Sequence, residues 1–282
     1  MKECDLYKQE KDRVRCLACA HKCLIRKENT GICGVRKNIN GKLYLLVYGK
    51  VASMNVDPIE KKPLYHFLPG TKAFSIGTIG CNFKCGFCQN FEISQVREII
   101  GEEITPEKIV ENAIKTGCKS IAYTYNEPGI FIEFVKDIAK LAKEKELKNI
   151  LVTNGYLSKE SFDYIKDYID VMNIDLKGSD KFYQENCGAK VQPVLDTIKR
   201  AHKAGIHIEI TTLLIPGLND NEKELEKIAK FIASVDKKIP WHISRFFPMY
   251  KMLDKNITPI SSLEKAYKIG KKHLKYVYVG NV

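Results

Sequence analysis

The chain has little that would carry it into a membrane. In its 282 residues no apolar run approaches the ~18 that a membrane-spanning helix needs. The opening stretch, Met1 to Asp12, is too charged for a secretory leader, so a cytoplasmic setting is expected. There is no low-complexity segment and no sequence repeat beyond an alternation of strand and helix signals. Nor is there a basic run interleaved with aromatics, so the net charge of +12 does not read as a nucleic-acid surface. The lysines instead fall beside acids along helix faces, as Lys136, Lys140 and Lys143 do near Glu133, Asp137 and Glu144. That is the pattern of a solvated, ion-paired surface.

Cysteine, by contrast, is plentiful: there are ten. In a chain without a leader, that number points to a reducing compartment and to metal or redox chemistry, not to disulfides. Three of them, Cys81, Cys85 and Cys88, form C-x3-C-x2-C within G-T-I-G-C-N-F-K-C-G-F-C-Q-N, just after an apolar strand. Iron–sulfur clusters normally take four cysteines, and the next one, Cys118, lies beyond a predicted helix. A 4Fe–4S cluster held this way keeps one iron open, by the logic that separates catalytic from structural zinc. Four more, Cys16, Cys19, Cys23 and Cys33, form C-x2-C-x3-C-x9-C, a second metal signal. A closed tetrahedral zinc site is favoured there, because it would staple a segment too small for its own core. An auxiliary iron–sulfur cluster is the alternative.

Strand signals fall at residues 73–78, 120–125, 149–153, 171–175, 206–214 and 241–246, with helices between. Thr105 and Pro106 open one helix and Gly117 closes it. The next buries Phe131, Phe134, Val135, Ile138 and Leu141 on a 3.6-residue period. Later N-caps are expected at Ser158, Asp220 and Ser261, the last in a capping box with Glu264. Six β/α units imply right-handed crossovers and a parallel sheet, too short for a closed eight-fold barrel. The fold expected is therefore α/β, an open partial (β/α)6 barrel over residues 71–282, with 276–279 as an added edge strand. Residues 1–70 read as a separate module, a cysteine cluster followed by a hairpin of 43–48 with 51–56.

In such sheets chemistry gathers at the carboxyl ends of the strands. The candidates there are Tyr125, Asn126 and Glu127 after the second strand, Thr153 and Asn154 after the third, and Asp175 after the fourth, with Lys177 on the opposite face. Thr211 belongs to the fifth strand, and His242 and Arg245 to the sixth as cofactor or substrate contacts. Cys187, in the loop after the fourth strand, reads either as a hydrogen-atom participant or as a small buried thiol.

With the cluster loop and strand ends placed, the chain resembles the radical S-adenosylmethionine (SAM) superfamily. More narrowly it is similar to the branch named for its association with Memo-like proteins (AmmeMemoRadiSam), related to pyruvate formate-lyase activating enzymes. The stretches that carry this are C-L-A-C-A-H-K-C, G-I-C-G-V-R, D-P-I-E-K-K-P-L-Y-H-F, C-Q-N-F-E-I-S-Q, Y-T-Y-N-E-P and T-L-L-I-P-G-L-N-D. Two departures stand out: Val152 occupies a position that is commonly Asp in activases, and Thr211 one that is often Arg. Members of the branch often continue past Y-V-G-N with a further cysteine pair, which this sequence does not include.

The resemblance implies a 4Fe–4S cluster on Cys81, Cys85 and Cys88, with SAM at the open iron. Phe87 would lie against the adenine. The Tyr125–Glu127 segment would hold the methionine amino group, and Thr153, Asn154, Asp175 and Thr211 would complete the cofactor site. An external low-potential donor would reduce the cluster, and a 5′-deoxyadenosyl radical would take hydrogen from an unassigned substrate. A small molecule is favoured, with a Memo-like protein as a possible partner and a glycyl radical enzyme as the alternative target. A non-catalytic iron–sulfur carrier or interaction module is the rival of another class.

Overall fold

The computed structural model describes all 282 residues and is organised around one eight-stranded sheet. Its strands stand in chain order: β1 (Ser53–Pro58), β2 (Lys72–Gly77), β3 (Ser120–Tyr123), β4 (Lys148–Thr153), β5 (Val171–Asp175), β6 (His207–Leu214), β7 (Trp241–Arg245) and β8 (Val277–Gly280). β2 to β8 are parallel, and β1 runs antiparallel to β2 along the edge. The principal helices between parallel strands are α1 (Pro106–Lys115), α2 (Ile132–Glu144), α3 (Lys159–Ile165), α4 (Asp180–Cys187), α5 (Gln192–Lys203), α6 (Glu222–Val235) and α7 (Ile260–His273). A sheet laid down strand by strand, without reversal, is the topology of an opened β/α barrel. The six expected β/α units are present, and β8 is a seventh parallel strand.

Local chemistry explains most boundaries. Thr105 caps α1, its side chain accepting from the Lys108 amide, and Pro106 takes the first turn. Ser158 caps α3 in the same way, from the Ser161 amide. Two expected caps are displaced. Asn221, not Asp220, caps α6, because the Asp220 carboxylate instead accepts from the Gly217 amide in the preceding turn. α7 starts after Pro259, so Ser261 and Glu264 both lie within the helix and form no capping box.

Register separates the two faces of the sheet. Neighbouring partners on adjacent strands share a face, which sets Ser75, Ala122, Ile150, Val171, Asn173, Glu209, Thr211, His242 and Tyr278 on the inner side. The helices cover the other side, over residues such as Ile121, Leu151, Ile174 and Ile210. The inner side is filled at its amino end by the segment after β1. Ile59 and Leu64 pack on Ala73, Ala122, Ile150 and Val171. The Pro63 carbonyl accepts from Asn173 Nδ2 at 2.8 Å, and the Tyr65 and His66 amides donate to the Glu209 carboxylate at 3.1 and 2.8 Å.

This placement corrects the expected boundary at residue 70. Residues 53–68 belong to the barrel, as edge strand and internal plug. The expected hairpin of 43–48 with 51–56 does not form either. Lys42–Leu45 pairs with Arg36–Ile39 and Lys2–Glu3, whereas β1 finds six register partners on β2. The amino-terminal module that remains is made of short strands, and a buried ion pair ties it to the barrel. The Arg36 guanidinium clasps Glu133 in the first turn of α2 and donates from Nε to the Ile130 carbonyl at 2.8 Å. No helix is long and apolar enough to cross a membrane.

Candidate functional site

The carboxyl end of β2 runs into the loop that carries Cys81, Cys85 and Cys88, and side chains from two neighbouring strand ends fasten it. Asn126 Oδ1 accepts from the Thr78 amide at 3.1 Å, while its Nδ2 donates to Thr78 Oγ1 at 3.0 Å and to the Gly80 carbonyl at 2.9 Å. Asn154 Nδ2 donates to Asn82 Oδ1 at 2.7 Å. Beneath them lies Glu127, buried, accepting from the Gly129 amide at 2.8 Å and from Thr153 Oγ1 and the Asn154 amide at 2.7 Å each. Burial pushes its carboxyl up to about 7 against the pull of those donors. Both Glu127 oxygens are thus engaged in holding the loop. Through these bonds Glu127 positions Thr153 and Asn154, and through Asn154 the cluster loop.

All ten cysteines are free thiols. Each of the three on the loop has a polar neighbour at sulfur. Cys81 Sγ accepts from the Phe83 amide at 3.4 Å, and Cys88 Sγ lies 3.0 Å from Ser94 Oγ. A hydrogen bond from Cys187 holds the Cys85 thiol below its ordinary range. The three are near enough to repel one another as thiolates. No three metal-ligating side chains converge on one point, at this loop or elsewhere in the chain. Three soft donors, with hydrogen-bond donors at their sulfurs and a cation nearby, fit a 4Fe–4S cluster.

That cation is Lys177. β5 ends at Asp175, and Lys177 Nζ comes back to within 2.6 Å of Asp175 Oδ2 and 5.8 Å of the Phe87 ring, so the two do not face apart as expected. Burial opposes the Lys177 charge, but Asp175, Cys85 and Cys187 more than offset it and raise its proton affinity. Phe87 itself is buried, tilted against Phe182 at 5.7 Å. Cys187 is the buried last residue of α4, not a loop residue, and its sulfur is engaged by Cys85.

Tyr125 holds a left-handed backbone, φ +66°, and donates to Asp57 Oδ2 at 2.5 Å, with Lys62 Nζ 4.5 Å over its ring. Asp57 also accepts from Lys61 at 2.9 Å and Lys62 at 2.6 Å. Asp57 and Lys62 were not singled out from sequence, although the D-P-I-E-K-K stretch carries both. Thr211 sits mid-strand on the inner face, bonded to Asn173 Oδ1 at 3.0 Å.

Neither candidate of the sixth unit faces the site at the rim. His242 is the second residue of β7, at the amino half of the sheet, where Nε2 lies 2.6 Å from Glu209 Oε2. Arg245 is at the right end but has the wrong parity. It stands on the face opposite His242, its Nε donating to the Thr258 carbonyl at 2.9 Å. Glu209 went unnoticed in the sequence; a carboxylate inside an apolar strand was the available signal. Burial pushes it up, but His207, His242 and the His66 and Tyr65 amides together hold it down at about 2.

The amino-terminal set meets the cluster loop at Asn82. Cys16, Cys19, Cys23 and Cys33 wall one small pocket, together with His21, Arg36, Asn82 and Ile130.

Residues 75–232 match the Radical SAM superfamily. An uncharacterized protein of Methanocaldococcus jannaschii is 46% identical over 287 residues, covering 100% of this chain and 86% of that one. A candidate glycyl-radical enzyme activating enzyme of the same organism is 31% identical over 207 residues, 71% of this chain and 77% of its own. Among solved structures, a radical SAM methyltransferase from Sphaerobacter thermophilus shares the fold, with a TM-score of 0.59 at 14% identity over 76% of this chain and 67% of that one. Sequence match, sheet topology and the three-thiol loop agree: the chain belongs to the radical SAM superfamily, is related to glycyl-radical activating enzymes, and is an enzyme.

Proposed function

We propose that the protein reductively cleaves SAM at a 4Fe–4S cluster held by Cys81, Cys85 and Cys88, and turns the radical so formed on a small molecule inside the barrel. The observation that carries this is a loop of three cysteines in C-x3-C-x2-C, fastened at the carboxyl edge by Asn126 and Asn154. Cluster and SAM together supply the electron transfer and the 5′-deoxyadenosyl radical, given an external low-potential donor.

The chain's own part is positioning and charge. The Phe83 amide, the Ser94 hydroxyl and the Cys187 thiol orient the three sulfurs, and Lys177 offsets their negative charge. Asp175, only a third exposed, and Tyr125 are the polar groups best placed to meet the cofactor beside the loop. The plug formed by residues 59–68 occupies the amino half of the inner face. A shortened chamber favours a small substrate over a polypeptide loop.

The similarity to a glycyl-radical activating enzyme supports a second reading, in which the substrate is a glycyl radical enzyme. The branch resemblance suggests a Memo-like protein as a partner. One experiment ranks these. The reconstituted, reduced enzyme is incubated with SAM and deuterium-labelled cell extract fractionated by size. Label is expected in 5′-deoxyadenosine from the small-molecule fraction. Label from the macromolecular fraction alone would overturn the small-substrate reading, and a loaded cluster that yields no 5′-deoxyadenosine would overturn the whole proposal.

A further inference from the structure

The pocket of Cys16, Cys19, Cys23 and Cys33 plays no part in the chemistry above. Its four thiols come from two turns brought face to face. Cys16 closes the strand Arg13–Cys16, and its amide donates to the Cys23 carbonyl at 2.9 Å. Cys19 and Cys23 flank a tight turn, in which the Lys22 amide donates to the Cys19 carbonyl at 3.1 Å. Cys33 enters from a second turn, closed by the Gly34 amide on the Gly31 carbonyl at 3.0 Å. The rest of the wall is Ala18, Ile25, Ile32 and Ile130, with Arg36, His21 and Asn82, and no carboxylate contributes to it. Four sulfurs without an oxygen ligand select a thiophilic ion. The free space is about that of one water-sized body, room enough for a single ion.

A second observation is independent of the cysteines. Asn82, only 2% exposed, lines this pocket, and its Nδ2 has no hydrogen-bond partner although Oδ1 is taken by Asn154. A buried amide donor left without a partner on a residue that lines this pocket calls for an acceptor, and a metal-bound thiolate would supply one. His21 does not compete as a ligand through Nε2, which lies 2.9 Å from the Asn82 carbonyl. The four sulfurs wall the pocket without yet converging, so ligation has to draw them inward. Arg36 would offset the net negative charge of a tetrathiolate.

The pocket also grips the cluster loop on both sides of Cys81. Asn82 is one contact. Gly80, at φ +90°, is the other: a Cβ there would lie 2.5 Å from the Cys33 carbonyl, so only glycine allows the approach.

We propose that Cys16, Cys19, Cys23 and Cys33 bind a single Zn²⁺, and that this ion, through Asn82 and the backbone at Gly80, fixes the position of Cys81. The test uses the full chain with Cys81, Cys85 and Cys88 all changed to Ala, which cannot hold the cluster and leaves the pocket intact. Metal analysis is expected to find one zinc per chain and no iron, and cobalt exchange to give the intense visible bands of a tetrahedral tetrathiolate. Zinc at background level, or iron with acid-labile sulfide in that variant, would overturn the proposal. In the otherwise native chain, Cys19→Ser is expected to lose the zinc and to change the electron paramagnetic resonance signal of the reduced cluster. A zinc-free chain with an unchanged signal would overturn the coupling. Neither readout depends on SAM cleavage.

Discussion

The two cysteine sets lie on either side of Asn82 and differ in almost everything else. The loop at the end of β2 presents three thiols at the open edge of the sheet, among polar partners: an amide, a hydroxyl, another thiol and a lysine. The amino-terminal pocket presents four, set among aliphatic side chains and served by one unpaired amide. A complete ligand set is the arrangement of a structural site, and an incomplete set at a strand edge that of a reactive one. Their supports differ in the same sense. The pocket rests on a fully buried ion pair, the loop on uncharged hydrogen bonds around one carboxyl group.

The sharpest way to break the first support is Glu133→Ala. The Arg36 guanidinium and Glu133 are 1% and 0% exposed, so removing the acid strands a cation that only the Ile130 carbonyl and the pocket can meet. Loss of one partner of a buried pair costs about 3–5 kcal/mol. Chemical denaturation of the cluster-free protein should show a loss of this size, with zinc released at lower denaturant than in the parent. A loss below about 1 kcal/mol would mean that the pair behaves as a solvated surface bridge.

The second support is tested by pH. Glu127 titrates ordinarily at 4.5, and burial pushes it up to about 7 in the folded chain. The folded state therefore holds this proton more tightly than the unfolded one. The resulting stability is complete below about 4.5 and is lost as pH rises through about 7, by about 3 kcal/mol at most. Glu127→Gln removes the titration. Measured from about pH 5 to about pH 8, the stability of the parent relative to the variant should fall as pH rises. A gap independent of pH would show that the three donors keep the carboxylate ionised throughout.

Much of this was legible in the sequence because it is local. β5 falls at residues 171–175 as expected, and the caps at Thr105 and Ser158 are where a hydroxyl can reach an amide three residues on. The cluster loop is equally local, three cysteines within eight positions. What failed depends on pairing between distant segments. Residues 51–56 alternate like a hairpin arm, yet nothing in them says that β2 is the partner, and with it goes the fate of the plug at 59–68. His242 and Arg245 failed on register. One lies at the wrong end of β7 and the other on the wrong face, distinctions that a shift of one to three residues decides. Lys177 failed because residues two apart on a strand share a face, so parity itself sets it beside Asp175, where it is found.

The smallest expected effect tells the sets apart at the level of a single sulfur. Cys187 is buried at the end of α4, where its thiol is the largest influence holding Cys85 below its ordinary range, and its carbonyl accepts the Lys84 amide at 2.9 Å. The backbone contact survives in Cys187→Ala, so the loop keeps its course and the cost is about 1 kcal/mol, that of a small cavity. Iron content should stay at the parent's level, and 5′-deoxyadenosine should still form. The change belongs in the potential. Hydrogen bonds to the sulfurs favour the reduced cluster, so losing one should move the midpoint negative, on the order of tens of millivolts. Redox titration of the reconstituted variant, followed by electron paramagnetic resonance, reads this directly. A variant that loses its iron would instead make Cys187 a ligand, and the loop would then no longer be the open, three-thiol partner of the four-thiol pocket.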